Sequence, residues 1–120
     1  MTSNLTTRQD EILNILQEEC GEVVQIISKI RRFGIYSDYS GITNRDQLAT
    51  ELGDLQAMIN LAIDSDIVTE LDVRDAATRK LCKLTLFSTI FDEDETLWNY
   101  TNTKTVPVTF TLNEFPRDGK

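Results

Sequence analysis

The stretch RQDEILNILQEECGEVVQIISKIRRF, residues 8–33, decides the fold. It holds no proline, and Ile12, Leu16, Val23, Ile27 and Ile30 recur at the spacing of one helical face. Thr7 stands where an N-cap belongs, with Asp10 and Glu11 in the first turn. Gly34 closes the far end as the C′ residue, behind Arg31 and Arg32. The pattern predicts one long amphipathic helix.

Outward from it, residues 34–43 (GIYSDYSGIT) read as a loop carrying Tyr36, Tyr39 and Gly41. Asn44 is placed as the N-cap of a second helix, with Gln47 three residues on. Leu48, Leu52, Leu55, Ile59 and Ala62 form its stripe, which fades near residues 64–66. A third helix is predicted after Asp72, through Val73, Ala76, Ala77, Leu81, Leu84 and Phe87. Beyond Phe91 the character changes. Residues 92–95 (DEDE) are a solvated acidic run, and residues 101–105 (TNTKT) a turn. Val106, Val108, Phe110 and Leu112 alternate with polar residues and Pro107, the pattern of an edge strand. Its partner is the segment 97–101 (LWNYT) or another subunit. The expected architecture is all-α: a bundle of about three main helices completed by oligomerisation. Residues 1–91 form the helical catalytic domain, and residues 92–120 a C-terminal extension that forms a strand or hairpin.

Composition narrows the function. The 120 residues carry 20 acidic and 12 basic side chains, a net charge of −8. Such a balance disfavours an electrostatic grip on a nucleic acid polymer or an anionic membrane. With no histidine in the chain, a Ser-His-Asp triad, a Cys-His pair and the Glu-x-x-His ligands of di-iron bundles are excluded. Cys20 and Cys82 lie far apart, among apolar residues at helical spacing, and are expected to be buried free thiols of a reducing compartment. The polar, acidic start MTSNLTTRQDE is unlike a secretion signal, and no apolar run reaches a membrane span. A cytoplasmic protein is expected.

The acids break the apolar pattern. On a wheel with Val23 at zero, the stripe of the first helix stays within about 40°. Glu19 falls at about −40°, inside that arc, and Glu22 at about −100°, on its edge. On the second helix, with Leu48 at zero, Glu51 and Asp54 fall near −60° and −120°, beside Met58 and Leu61. Each helix therefore offers an i, i+3 carboxylate pair at the edge of an apolar seam. Four converging acids repel one another and are costly to desolvate. A hard divalent cation, Mg²⁺ or Mn²⁺, neutralises such a set and also binds polyphosphate oxygens. The pattern alone weighs this metal site evenly against a solvated acidic face.

Glu18-Glu19-Cys20-Gly21-Glu22 reads EExxE, and Glu51-Leu52-Gly53-Asp54 reads ExxD, with 28 residues between them. That combination resembles the MazG-like branch of the all-α nucleoside triphosphate pyrophosphohydrolases, over roughly residues 8–91. Residues 18–35 and 44–63 are also similar to those of small stand-alone members from bacteria and phages. The resemblance implies metal ligands at Glu19, Glu22, Glu51 and Asp54, and a helical homodimer or a tetramer of dimers. It implies hydrolysis between the α and β phosphates, giving a nucleoside monophosphate and pyrophosphate. A deoxynucleoside or non-standard triphosphate is the substrate that family membership favours.

Without histidine, the base that takes the water's proton is a carboxylate or the metal itself, and Glu19 and Glu22 are the candidates. Glu18, at about −140°, is off the seam and either orients a ligand or faces water. Lys29 shares the edge of Glu22, about 10 Å along the helix, a span that fits a nucleotide. Arg32 follows one turn later. Lys80 and Lys83, i, i+3 on the third helix and beside Arg79, suit a triphosphate tail, with a solvated face as the default. Tyr36 and Tyr39 are candidates for stacking on a base. Two other readings compete. One is a non-catalytic helical protein holding a metal or nucleotide without turnover. The other is an acidic protein that binds a partner through its C-terminal strand. The complete four-acid set argues against both, because hydrophobes serve a structural role better at those positions.

Overall fold

The computed structural model describes residues 4–92. In chain order they form α1 (Thr7–Phe33), β1 (Asp38–Tyr39), β2 (Ile42–Thr43), α2 (Asn44–Asp64) and α3 (Glu70–Phe87). Three helices with one two-stranded hairpin make the all-α architecture that the periodicity predicts. The strand expected over residues 105–112, its partner at 97–101 and the rest of the C-terminal extension lie outside the described residues. The chain divides into two compact units, residues 1–67 and 68–120. The first contains α1, the hairpin and α2; α3 belongs to the second. No described helix is long and apolar enough to cross a membrane.

Each helix starts earlier than the sequence reading places it, for one recurring reason. At α1 the cap is Thr6, not Thr7: its hydroxyl accepts the Gln9 N–H at 3.0 Å while Gln9 Oε1 accepts the Thr6 N–H at 2.9 Å. At α2 the cap is Thr43, not Asn44, with Asp46 closing the same reciprocal pair. At α3 it is Thr69, which accepts the Asp72 N–H, so the helix begins at Glu70 rather than after Asp72. At α1 and α2, the capping threonine pairs reciprocally with a side chain three residues on, satisfying two orphan donors at once.

Asn44 is thereby released for another task. It is buried, and its Nδ2 donates to the Gly34 carbonyl at 2.9 Å. Gly34 leaves α1 at φ 97°, which a side chain disfavours. The predicted loop folds as a hairpin between these anchors, with Asp38 opposite Thr43 and Tyr39 opposite Ile42. Ser40 and Gly41 both take positive φ, the requirement of a type I′ turn, and the Gly41 N–H reaches Asp38 Oδ2 at 3.2 Å. Two main-chain bonds, Asn44 N–H to Ser37 and Arg45 N–H to Ile35, fix the hairpin's base to the start of α2.

α1 and α2 pack antiparallel. Ile12 of α1 meets Met58 and Ala62 of α2 in the core, with Ile15, Leu16 and Ile67 against them. Gln9 Nε2 donates to the Ser65 carbonyl at 2.8 Å at one end of the pair, and Lys29 Nζ donates to Gln47 at the other. The buried face of α1 is rotated from the predicted centre toward Glu19: Ile26 is 1% exposed, whereas Ile27 is 43% exposed. Cys20 and Cys82 are free thiols as expected, but both are exposed rather than buried. Each follows its helix's apolar residues in sequence without sharing their packed face.

Asn44 joins two segments through a buried amide, so Asn44→Ala is expected to lower unfolding free energy by about 1–3 kcal/mol in urea denaturation. Thr6→Ala, at an exposed cap, is expected to cost about 1 kcal/mol.

Candidate metal and nucleotide site

The rotation of α1 determines the site. Because the packed face centres near Glu19, its carboxylate is turned inward toward α2 and is half-buried. Glu51 and Asp54 stand one turn apart on the facing flank of α2. One carboxylate oxygen from each of Glu19, Glu51 and Asp54 lies within 4.8 Å of the other two. Glu22 is exposed and lies outside this group of three, although its charge still acts on Glu19. Glu18 is exposed beside it. The structure thus brings together three of the four acids that the motif pairs singled out.

No lysine or arginine pairs with any of the three among the described residues. Burial, followed by the charges of Asp54, Glu51, Glu22 and Glu18, pushes the Glu19 carboxyl above the usual carboxylate range. Three convergent carboxylate oxygens without a cationic partner are a donor set that fits a hard divalent ion, and six-coordinate Mg²⁺ or Mn²⁺ would complete its shell with water or phosphate oxygens.

Along the same side of the helix pair lies a cleft of about 450 Å³, lined by Lys29, Tyr39, Ile42, Asn44, Gln47 and Thr50. Lys29 faces it with its ammonium held at 3.2 Å by Gln47 Oε1. Of the two loop tyrosines, Tyr39 lines this cleft, and Tyr36 is exposed away from it. Arg32 is exposed, with its guanidinium 5.2 Å from the Phe33 ring centroid and its Nε donating to the Ser28 carbonyl. Arg79, Lys80 and Lys83 are exposed on α3. The sequence reading missed Gln47 and Thr50, having taken Gln47 for a cap partner. The available signal was position: Gln47 lies one helical turn before Glu51, at about −100° on the acidic flank.

Residues 7–86 match the MazG nucleotide pyrophosphohydrolase domain family. No curated protein and no solved structure matched the chain. The family is generally divalent-metal dependent, in keeping with the acidic cluster.

The metal-free chain carries an electrostatic cost at Glu19, and its pH dependence has a definite sign. A carboxyl with a raised folded-state pKa destabilises the fold above that pKa, and the penalty vanishes below the ordinary carboxylate range, where both states are protonated. Glu19→Gln is therefore expected to melt higher than the parent at neutral pH without metal, with the difference closing as the pH is lowered. Mg²⁺ or Mn²⁺ is expected to reverse the order, raising the melting temperature of the parent and not of the variant. Differential scanning calorimetry across pH, with and without metal, checks both.

Proposed function

The chain belongs to the MazG nucleotide pyrophosphohydrolase family, and from that premise we propose that it hydrolyses nucleoside triphosphates at the α–β bond. The products are a nucleoside monophosphate and pyrophosphate, and the substrate is a deoxynucleoside or non-standard triphosphate. The observation that carries the reading is the trio Glu19, Glu51 and Asp54, drawn from two helices with no cation paired to it among the described residues.

In this reading the three carboxylates hold Mg²⁺, or Mn²⁺ in its place. When bound, the ion offsets the charge that builds on the phosphate oxygens and acidifies water. Glu22, one turn from Glu19 and outside the trio, accepts the proton of the attacking water. Glu18 is left to orient it or to face solvent. Lys29 places positive charge about 10 Å along α1 from Glu22, at the far end of a bound nucleotide. Arg32 is assigned the weaker task of drawing the triphosphate in, which an exposed cation performs through its field, and the part of Lys80 and Lys83 of α3 in substrate binding stays with the basic pattern of their helix. Assembly into a homodimer or tetramer belongs to the same reading. Val24, Ile27 and Leu52 are exposed on the flank of the helix pair away from the acids, where a second copy would cover them.

Pyrophosphate release from a panel of ribo- and deoxynucleoside triphosphates, with Mg²⁺, Mn²⁺ or chelator, is the deciding assay. Metal-dependent pyrophosphate with the monophosphate as co-product is expected; orthophosphate with a diphosphate would move the cut to the β–γ bond and overturn the proposal. Asp54→Asn is expected to lose about 100-fold or more in kcat/KM with weakened metal binding. Glu22→Gln is expected to lose kcat while calorimetric metal affinity holds, and a parallel loss of affinity would make Glu22 a ligand instead.

A further inference from the structure

The cleft at the hairpin has a chemistry distinct from that of the acids. Its polar lining places two donors, Lys29 and Gln47, beside the Asn44 amide and the Thr50 hydroxyl. Lys29 has three N–H groups and no acceptor, so the Gln47 carboxamide must present its oxygen to it. That contact fixes the amide's orientation: Oε1 is committed to Lys29, and Nε2 is left as a donor with no hydrogen-bond partner among the described residues. Two donors from different helices therefore stand side by side at the cleft. The opposite wall is apolar, formed by Ile42 and the ring of Tyr39. Tyr39 is 78% exposed and sits beside a turn whose conformation is fixed by Ser40 and Gly41. An aromatic ring presented on a rigid support over a groove is a stacking platform for a planar ligand.

Distance links this cleft to the acids. Gln47 precedes Asp54 by seven residues on α2, and Lys29 follows Glu22 by seven on α1, so both offsets are about 10 Å. Phosphates held at the acids therefore place the nucleoside end in the cleft. Resting on the pyrophosphohydrolase reading above, we infer that Tyr39 and Gln47 select the base, favouring those with a keto oxygen at purine C6 or pyrimidine C4 over those with an amino group at that position. Tyr39 stacks on the ring. Gln47 Nε2 and Lys29 Nζ donate to carbonyl and ring-nitrogen acceptors, as the O6 and N7 pair of guanine or the O4 of thymine and uracil provide. An adenine or cytosine amino group brings a donor to meet donors. The usual two-point pairing of a glutamine amide with adenine needs Oε1, which is held by Lys29. Discrimination arises because a mismatched base covers the Lys29 and Gln47 donors and leaves them unpaired.

The test measures kcat/KM for dGTP, dTTP, dUTP and dITP against dATP and dCTP, in the full-length chain with Mg²⁺. The keto group is expected to exceed the amino group by about 10-fold or more. Gln47→Ala is expected to bring the two groups together. Gln47→Glu, which replaces the donor with acceptors, is expected to favour the amino bases. Tyr39→Ala is expected to raise KM for every base by about 10-fold, with Tyr39→Phe, which keeps the ring, raising it far less. Calorimetric binding of non-hydrolysable α,β-methylene analogues of dGTP and dATP should follow the same ranking. Circular dichroism confirms that each variant is folded. Equal turnover of keto and amino bases, or a ranking that Gln47→Ala leaves intact, overturns this inference alone. Absence of pyrophosphate release from every triphosphate overturns the reading on which it rests.

Discussion

The antiparallel register of α1 against α2 is the constraint on which the first unit depends. Gln9 with Ser65, Ile12 with Ala62, Glu19 with Asp54 and Lys29 with Gln47 step down α1 as they step up α2. Hydrogen bonds between side chain and main chain clamp both ends: the Gln9 amide on Ser65 at one, the Asn44 amide on Gly34 at the other. Apolar burial alone, which is non-directional, permits sliding by a turn with little change in area. The polar end contacts do not, because a slip leaves a buried amide or carbonyl unpaired. A one-turn slip would also carry Glu19 past its partners and separate Lys29 from Gln47.

The same register separates two chemical environments along one surface. At mid-pair, three carboxylates converge and repel, so the folded chain holds a charge arrangement that favours a cation. Toward the hairpin, donors and an aromatic ring replace the acids. Neither patch is a continuous motif in the chain, since each takes residues from both helices. A polyanion attached to a planar apolar group matches that sequence of environments better than either part alone.

Much of this was legible in the residues, and the reasons for the misses are physical. The span of α1 follows from its period and from Gly34, and Glu19 stands out because an acid falls inside an apolar arc. Counting hydrophobes, however, centres the apolar arc on Val23. Ile26 is thereby undervalued, and Ile27 is assigned to a core that it does not enter. An acid turned into the packed face shifts that centre, and apolar counting gives acids no weight. The caps slipped by a residue because Thr6 and Thr7 are adjacent and Asn44 is itself a good cap. Both candidates at each helix start have a side-chain acceptor three residues on, Gln9 or Asp10 and Asp46 or Gln47, so the local pattern alone does not separate them. The hairpin had a signal in its Ser-Gly pair following Asp38, the positions that a positive-φ turn favours. The Lys29–Gln47 contact had none, being purely tertiary.

The hairpin's attachments bear on how such a protein diversifies. Its base is secured by main-chain bonds from residues 44 and 45 and by the Asn44 amide, while Tyr39, Ser40 and Gly41 at the tip carry no part of the α1–α2 packing. The tip side chain over the cleft is therefore decoupled from the acid trio. An exchange at residue 39 alters the surface chemistry of the cleft and leaves the scaffold's register and its charged centre intact. The chemistry of the cleft is thus open to single mutations at little cost to folding, an evolutionary freedom that a residue embedded in the helix seam would not have.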